Sequence, residues 1–418
     1  MDVYLIFIIL AYLSVTGFGY WLDSLNLKNL KLYGSTIPPE FEGKIDQELL
    51  TKTRNYTVEN TQFGFLSSIF DNIILLLFLF GGILNIYNSW VASISLNFIL
   101  SGLFFFLLLT YAQTLISMPF SIYRTFRIEK KYGFNTMTMK LWLIDIIKSL
   151  LISTIIMSIL LSVGLLLIQK SPGLWWFWVW CFFFAFSIFM MYISPYVLEP
   201  LFNKFTPIED EGFVDDIKDV MQKAGIKVTR VFKMDASKRS KHTNAYFSGI
   251  GKVKRIVLFD TLLEKLDKDE ILAVLAHEAG HWKKKHILKH LAIIETIALI
   301  VMFAAFKAVQ NDFLIELFNI STSSFFAKII ILSFLFSIVS FPFSPLFNYF
   351  SRRNEKEADR FTYEITGRTD SMISALVKLS KDNLSNLYPH PLYSLFHYSH
   401  PPVLERIRDI KKLESNQS

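Results

Sequence analysis

Seven stretches of this chain are long and apolar enough to cross a bilayer, and they constrain its fold more than any other feature. Crossing about 30 Å of hydrocarbon takes about 20 helical residues. The stretches lie near 3–21, 66–88, 92–120, 141–168, 173–194, 287–310 and 325–349. The fifth carries no charge, and Trp175, Trp176, Trp178 and Trp180 at its start suit an interfacial aromatic belt. Lys289, Glu295 and Lys328 interrupt the last two, which also fit half-buried helices. The first stretch lacks the basic start and small-residue end of a cleavable signal, so it reads as a retained span. Composition agrees: 52% of residues are hydrophobic and 19% charged, against about 25% charged in a typical soluble domain.

The net charge is +7. No basic stripe with interleaved aromatics accompanies it, so no nucleic-acid partner is expected. A positive bias on one side of the spans accounts for it better. The loop after the third stretch carries Arg124, Arg127, Lys130, Lys131 and Lys140, while the loop after the fourth has only Lys170. The 121–140 loop is therefore expected in the cytoplasm, together with 22–65, 195–286 and the C-terminus. Cys181 is the single cysteine, so neither an internal disulfide nor a cysteine metal site can form.

Four parts follow from this pattern: spans one to five with their loops (1–194), a polar domain (195–286), spans six and seven (287–350) and a polar helical part (351–418). In the polar domain, 228–234, 244–248 and 252–259 read as short strands. Asp71, Asp145, Lys148 and Glu295 fall within or near the spans. Such groups are expected to face a bundle interior or a wet cavity.

The chemistry is announced by His277-Glu278-Ala279-Gly280-His281, an H-E-x-x-H pattern. Asp267-Lys268-Asp269-Glu270 resembles a capping box that starts a helix, and Ile271, Leu272, Val274 and Leu275 give it an apolar face. Helical positions four apart differ by about 40°. The two imidazoles therefore project side by side and can share one ion. Glu278 reaches a metal-bound water rather than the metal. A catalytic zinc needs a third protein ligand and an open position. His286 and His290 lie too close along the helix to fold back on the same ion. The next polar cluster, 351–359, offers Glu355 and Glu357, between which spacing does not choose. Glu355 and Asp359 share one helical face, which suits Glu355 on zinc and Asp359 hydrogen-bonded to a ligand histidine.

From about Pro38 to Arg408 the chain resembles the type I CAAX prenyl protease family, also called the a-factor-converting endopeptidases, which are seven-span membrane zinc proteases. The blocks that carry the likeness are Pro39-Glu40-Phe41, Tyr132-Gly133-Phe134-Asn135, Pro200-Leu201-Phe202-Asn203-Lys204-Phe205 and Ser237-Lys238-Arg239-Ser240. They continue with His242-Thr243-Asn244-Ala245-Tyr246-Phe247, 255–262, the zinc motif, and Ser351-Arg352 with Glu355-x-x-Ala358-Asp359. They end with Pro391-Leu392-Tyr393-Ser394, His397-Tyr398-Ser399-His400-Pro401-Pro402 and Glu405-Arg406. The resemblance implies one zinc ion per chain, with Glu355 as third ligand. It implies that His400 stabilises the oxyanion and that Arg406 supports it or a substrate carboxylate. It also implies that Asn244 and Ala245 lie on an edge strand that pairs with the substrate backbone.

The expected fold is mainly α: about seven transmembrane helices in a chambered bundle, with a small α+β zincin-like metalloprotease domain. The expected activity is hydrolysis of peptide bonds, with the C-terminal tripeptide of prenylated CAAX proteins as the favoured target. The partners are then a peptide or protein substrate and membrane lipid. The chain is expected as a multi-pass protein of a bacterial inner membrane, or of the endoplasmic reticulum membrane in a eukaryote. Two alternatives compete: a membrane quality-control protease of the HtpX type, and a transporter with an incidental metal site. Members of the HtpX type are smaller and have fewer spans, and a transporter would leave Glu278 without a role.

Overall fold

The structure, a computed structural model, describes residues 2–248 and 253–415. Among these, seven helices are long and apolar enough to cross a membrane: Val3–Tyr33, Gln47–Phe80, Phe98–Tyr132, Met139–Lys170, Trp175–Phe202, His286–Ala308 and Phe325–Thr366. All seven match an expected stretch, but several outrun it. The first continues past its apolar part because Leu22, Asn26 and Leu30, four residues apart, bury one face. Asn26 Oδ1 there accepts a hydrogen bond from the His390 amide at 3.0 Å, so the polar extension docks on the C-terminal part. The second starts far upstream, at Gln47, where Asp46 accepts from the Leu49 amide at 2.7 Å and caps the helix. It also stops short of residue 88. Gly82 adopts a φ of 82°, open to glycine and strained for other residues, and turns the chain into a separate helix, Ile83–Ser93.

Only 6–11% of the residues in each span's most apolar window are buried. Most of each span's apolar surface is left uncovered by the rest of the chain, as suits a surface that faces lipid. One end is closed by an apolar cluster that includes Leu5, Tyr12, Leu79, Leu84, Phe105 and Leu165, with the short helix Phe313–Leu317 packed among them. The polar domain sits at the other end. Two of the charges expected within the spans serve this junction. Asp145 takes two hydrogen bonds from Arg239, at 2.7 and 3.0 Å, and Lys148 Nζ donates to the Leu201 carbonyl at 2.9 Å.

The polar domain holds a four-stranded sheet in the order β1-β2-β4-β3. The strands are β1 (Phe205–Pro207), β2 (Lys227–Met234), β3 (Ala245–Ser248) and β4 (Val253–Phe259). β2 runs parallel to β4, while β1 and β3 are antiparallel to their neighbours. The three expected strands are present, and Lys252, at the end of one of them, lies outside the described residues. β1 has only three residues and ends in a proline, too little pattern to read from sequence. β4 is the central strand, with Ile256, Val257 and Leu258 fully buried. β3 ends the order and is an edge strand. The Tyr246 hydroxyl donates to Glu199 Oε2 at 2.5 Å and ties this edge to the fifth span.

The sheet packs on helices Glu211–Lys223 and Lys268–Lys283 through Phe213, Ile217, Met221, Ile271, Leu275 and Ala279. The second of these begins with the expected capping box. Asp267 accepts from the Glu270 amide at 3.0 Å, and Glu270 Oε2 accepts from the Asp267 amide at 2.9 Å. Glu270 is buried and also takes hydrogen bonds from Ser374 at 2.6 Å and Lys378 at 2.7 Å. Asp267→Ala should therefore destabilise the chain by about 1 kcal/mol, the usual worth of an N-cap. A lowered thermal unfolding midpoint in detergent is the expected result, and an unchanged midpoint would show that the box carries no weight here.

Candidate metal centre

His277 and His281 occupy the last turns of helix Lys268–Lys283, and their Nε2 atoms lie 3.2 Å apart. Glu355 comes from helix Ser344–Thr366, the polar continuation of the seventh span past the turn at Phe341–Phe343. Its Oε1 is 3.1 Å from His281 Nε2, and its Oε2 is 3.3 Å from His277 Nε2. One ligand atom from each of the three residues lies within 4.8 Å of the others. Gly280 makes this approach possible. A Cβ there would meet the Ala358 Cα at 3.0 Å and its carbonyl oxygen at 3.2 Å, so the two helix backbones nearly touch.

The residues fit a metal ion. Glu355 is 3% exposed. Three nitrogens crowd its Oε2: His400 Nδ1 at 2.9 Å, His277 Nε2 at 3.3 Å and Arg406 Nη1 at 3.8 Å. None of them makes a well-formed hydrogen bond to that buried oxygen. An unsatisfied buried acceptor is costly, and a divalent ion between the carboxylate and the two imidazoles removes the cost. Two imidazole nitrogens and one carboxylate are also a donor set known for catalytic zinc, which keeps a fourth position open for water.

His277 is oriented from behind. Its Nδ1 lies 2.8 Å from Asp359 Oδ1, which fixes the tautomer that leaves Nε2 free. Asp359 in turn receives Arg406 as a two-pronged clamp, Nη2 at 2.6 Å and Nε at 2.9 Å. Burial works against the Arg406 charge, but Asp359 outweighs it, with help from Glu355 and Glu278, and holds the guanidinium pKa above its usual value. Glu278 is partly buried beside His277 on the same helix. The His400 side chain is 65% exposed, so it can meet a bound molecule. Ala245 opens the edge strand β3, and the carbonyl of Asn244 accepts from the Phe259 amide at 3.1 Å.

Two residues at this site, His286 and Glu357, make contacts that the sequence pattern does not foretell. A continuous helix would swing His286 about 140° away from His281. The chain instead breaks at Lys285, whose φ is 58°, and a new helix starts at His286. That turn brings His286 Nδ1 to 3.1 Å from His281 Nδ1. His286 stays outside the three-residue ligand set. Glu357, the rival for third ligand, meets His286 Nε2 at 3.2 Å instead of the triad. The sequence signal for the break was slight: three successive lysines, 283–285, where the amphipathic pattern lapses.

Seven apolar helices, with this cluster at one end, define a multi-pass membrane metallopeptidase. Residues 26–204 match the family described as CAAX prenyl protease N-terminal, five membrane helices, and residues 207–414 match peptidase family M48. CAAX prenyl protease 1 of Saccharomyces cerevisiae is 33% identical, over 96% of this chain and 94% of that protein. The CAAX prenyl protease 1 homolog of Arabidopsis thaliana is 34% identical, over 97% of this chain and 96% of that protein. The crystal structure of S. mikatae Ste24p superimposes with a TM-score of 0.89 at 30% identity, covering 98% of this chain and 99% of that one. The chain belongs to the CAAX prenyl protease family within peptidase family M48. It is an integral membrane protein of that family, and the family carries a metal.

Glu355→Ala should strip the protein of metal during purification, while Glu357→Ala should retain close to one ion per chain. Metal content by mass spectrometry separates the two. Equal retention would show that Glu355 is not the third ligand.

Proposed function

We propose that the chain is a zinc endopeptidase that removes the C-terminal tripeptide from prenylated CAAX proteins. The observation that carries this reading is the meeting of His277, His281 and Glu355 at one end of a bundle of seven membrane spans. A prenylated tail has a lipid part and a peptide part, and a site at the membrane boundary beside the spans can take both. The relatives named CAAX prenyl protease support the same substrate class.

In this reading His277, His281 and Glu355 hold the zinc ion, one per chain. Bound zinc supplies Lewis-acid activation of water and of the scissile carbonyl. Glu278 accepts the proton of the attacking water and delivers it to the leaving amine. His400 donates to the oxygen on which negative charge develops, a contribution of about 3 kcal/mol in comparable sites. Arg406 stiffens Asp359, and through it His277. Asn244 and Ala245 offer main-chain groups at a sheet edge, where an extended peptide can add as a further strand. Residues 1–194 and 287–350 form the membrane chamber in this division of labour, and 195–286 with 351–418 form the catalytic unit. The positive loop at 121–140 supports a cytoplasmic zinc site, in the endoplasmic reticulum membrane of a eukaryote or the inner membrane of a bacterium.

Glu278→Gln should abolish hydrolysis and leave zinc content unchanged, and His400→Ala should lower kcat about a hundredfold or more with zinc retained. Metal lost together with activity in Glu278→Gln would contradict the base assignment. The substrate class is tested with matched prenylated and unprenylated CAAX peptides and detergent-purified protein. The prenylated peptide should be cut much faster, with release of three residues. Equal rates would favour a general membrane protease of the quality-control type.

A further inference from the structure

We propose that His286 and Glu357 are positioning residues that hold His281 in the tautomer needed to bind metal. The proposal rests on the reading of His281 as a ligand. Its starting point is a contact between two ring nitrogens, His281 Nδ1 and His286 Nδ1, at 3.1 Å. Two imidazole nitrogens at that distance share one proton, with one nitrogen donating and the other accepting. His281 Nε2 faces Glu355 Oε1 at 3.1 Å and His277 Nε2 at 3.2 Å, so it must keep its lone pair for the ion. The His281 proton then sits on Nδ1 and is donated to His286 Nδ1.

This choice fixes the next proton. His286 carries its own on Nε2, which lies 3.2 Å from Glu357 Oε2. The other carboxylate oxygen of Glu357 accepts from Arg353 Nε at 3.3 Å. Each donor in the chain meets an acceptor, and the chain ends on a carboxylate paired with a guanidinium. His286 is 3% exposed, so water does not compete for its ring. Both metal histidines are thus backed in the same manner. His277 leans on Asp359 and Arg406 directly, and His281 leans on Glu357 and Arg353 through the interposed imidazole of His286. A single segment, 355–359, supplies one ligand and both bracing carboxylates. The break at Lys285 gains a purpose as well, because only that turn brings His286 behind His281.

Partners of this kind tune metal affinity by about 10–100-fold. The test uses the full-length protein in detergent and measures zinc affinity by chelator competition. His286→Leu keeps the bulk of the ring and removes the acceptor, and should weaken zinc binding by about 10–100-fold. His286→Gln restores an acceptor for His281 and a donor for Glu357, and should recover most of the loss. Glu357→Gln, at a more exposed position, should weaken binding by less than His286→Leu. The absorption spectrum of the cobalt-substituted protein should shift in His286→Leu and return towards wild type in His286→Gln. Wild-type zinc affinity in His286→Leu overturns the proposal. So does an equal loss in His286→Leu and His286→Gln, which marks a packing role only. If His286→Leu fails to fold, Glu357→Ala decides: affinity unchanged from wild type overturns the relay. Glu355→Ala is the control for the ligand reading. Zinc held by that variant would sink the ligand set itself, a different failure from zinc affinity that ignores His286.

Discussion

The close approach of two helices at Gly280 and Ala358 is the contact on which the rest of this molecule depends. It brings a glutamate at 355 against histidines at 277 and 281, three groups that are all largely removed from water. Burying charge is expensive unless it is paired or coordinates a metal. Asp359 and Arg406 answer each other through two hydrogen bonds, but the buried oxygen of Glu355 has no well-formed partner of its own. The protein places an electrostatic demand at this point that a divalent cation meets. Breaking one member of such a buried set costs more than the contact is worth, because the remaining charge stays buried.

The connectivity turns this local demand into a constraint on the whole fold. Span six and the apolar part of span seven lie between the histidines and Glu355, so the cluster of His277, His281 and Glu355 forms only when both have folded back. The first span adds its polar extension, through Asn26 to His390, and the fourth adds Asp145 to Arg239. Membrane part and polar part are thus joined by hydrogen bonds and ion pairs, Arg408 with Glu40 at 2.6 Å among them, as well as by the chain. Buried apolar clusters lie in the polar domain and at the opposite end of the spans.

Much of this was legible in the sequence, and the reasons are physical. Span positions followed from hydropathy because lipid tolerates little else. The capping box and the paired histidines followed from the helical repeat, which fixes neighbours three and four apart. The third ligand did not follow from spacing, because Glu355 and Glu357 are both polar residues of one helix. Only the packing against Gly280 separates them, turning Glu355 to His277 and His281 and Glu357 to His286. The role of His286 was hidden for a related reason. Its contact depends on a left-handed residue at Lys285, and nothing in a run of lysines announces one. Span ends were misread where an amphipathic extension, such as Leu22-Asn26-Leu30, continued a helix beyond its apolar part. β1 was missed because three residues carry no period.

The central claim is that one metal ion braces two helices which the chain itself joins only through the membrane. Hydrogen–deuterium exchange on the intact protein, with metal bound and after chelation, tests it directly. The account predicts that amides near 277–281 and near 352–359 lose protection together on chelation, while helix Glu211–Lys223 is little changed. Loss of protection confined to 277–281, with 352–359 unaffected, would contradict it.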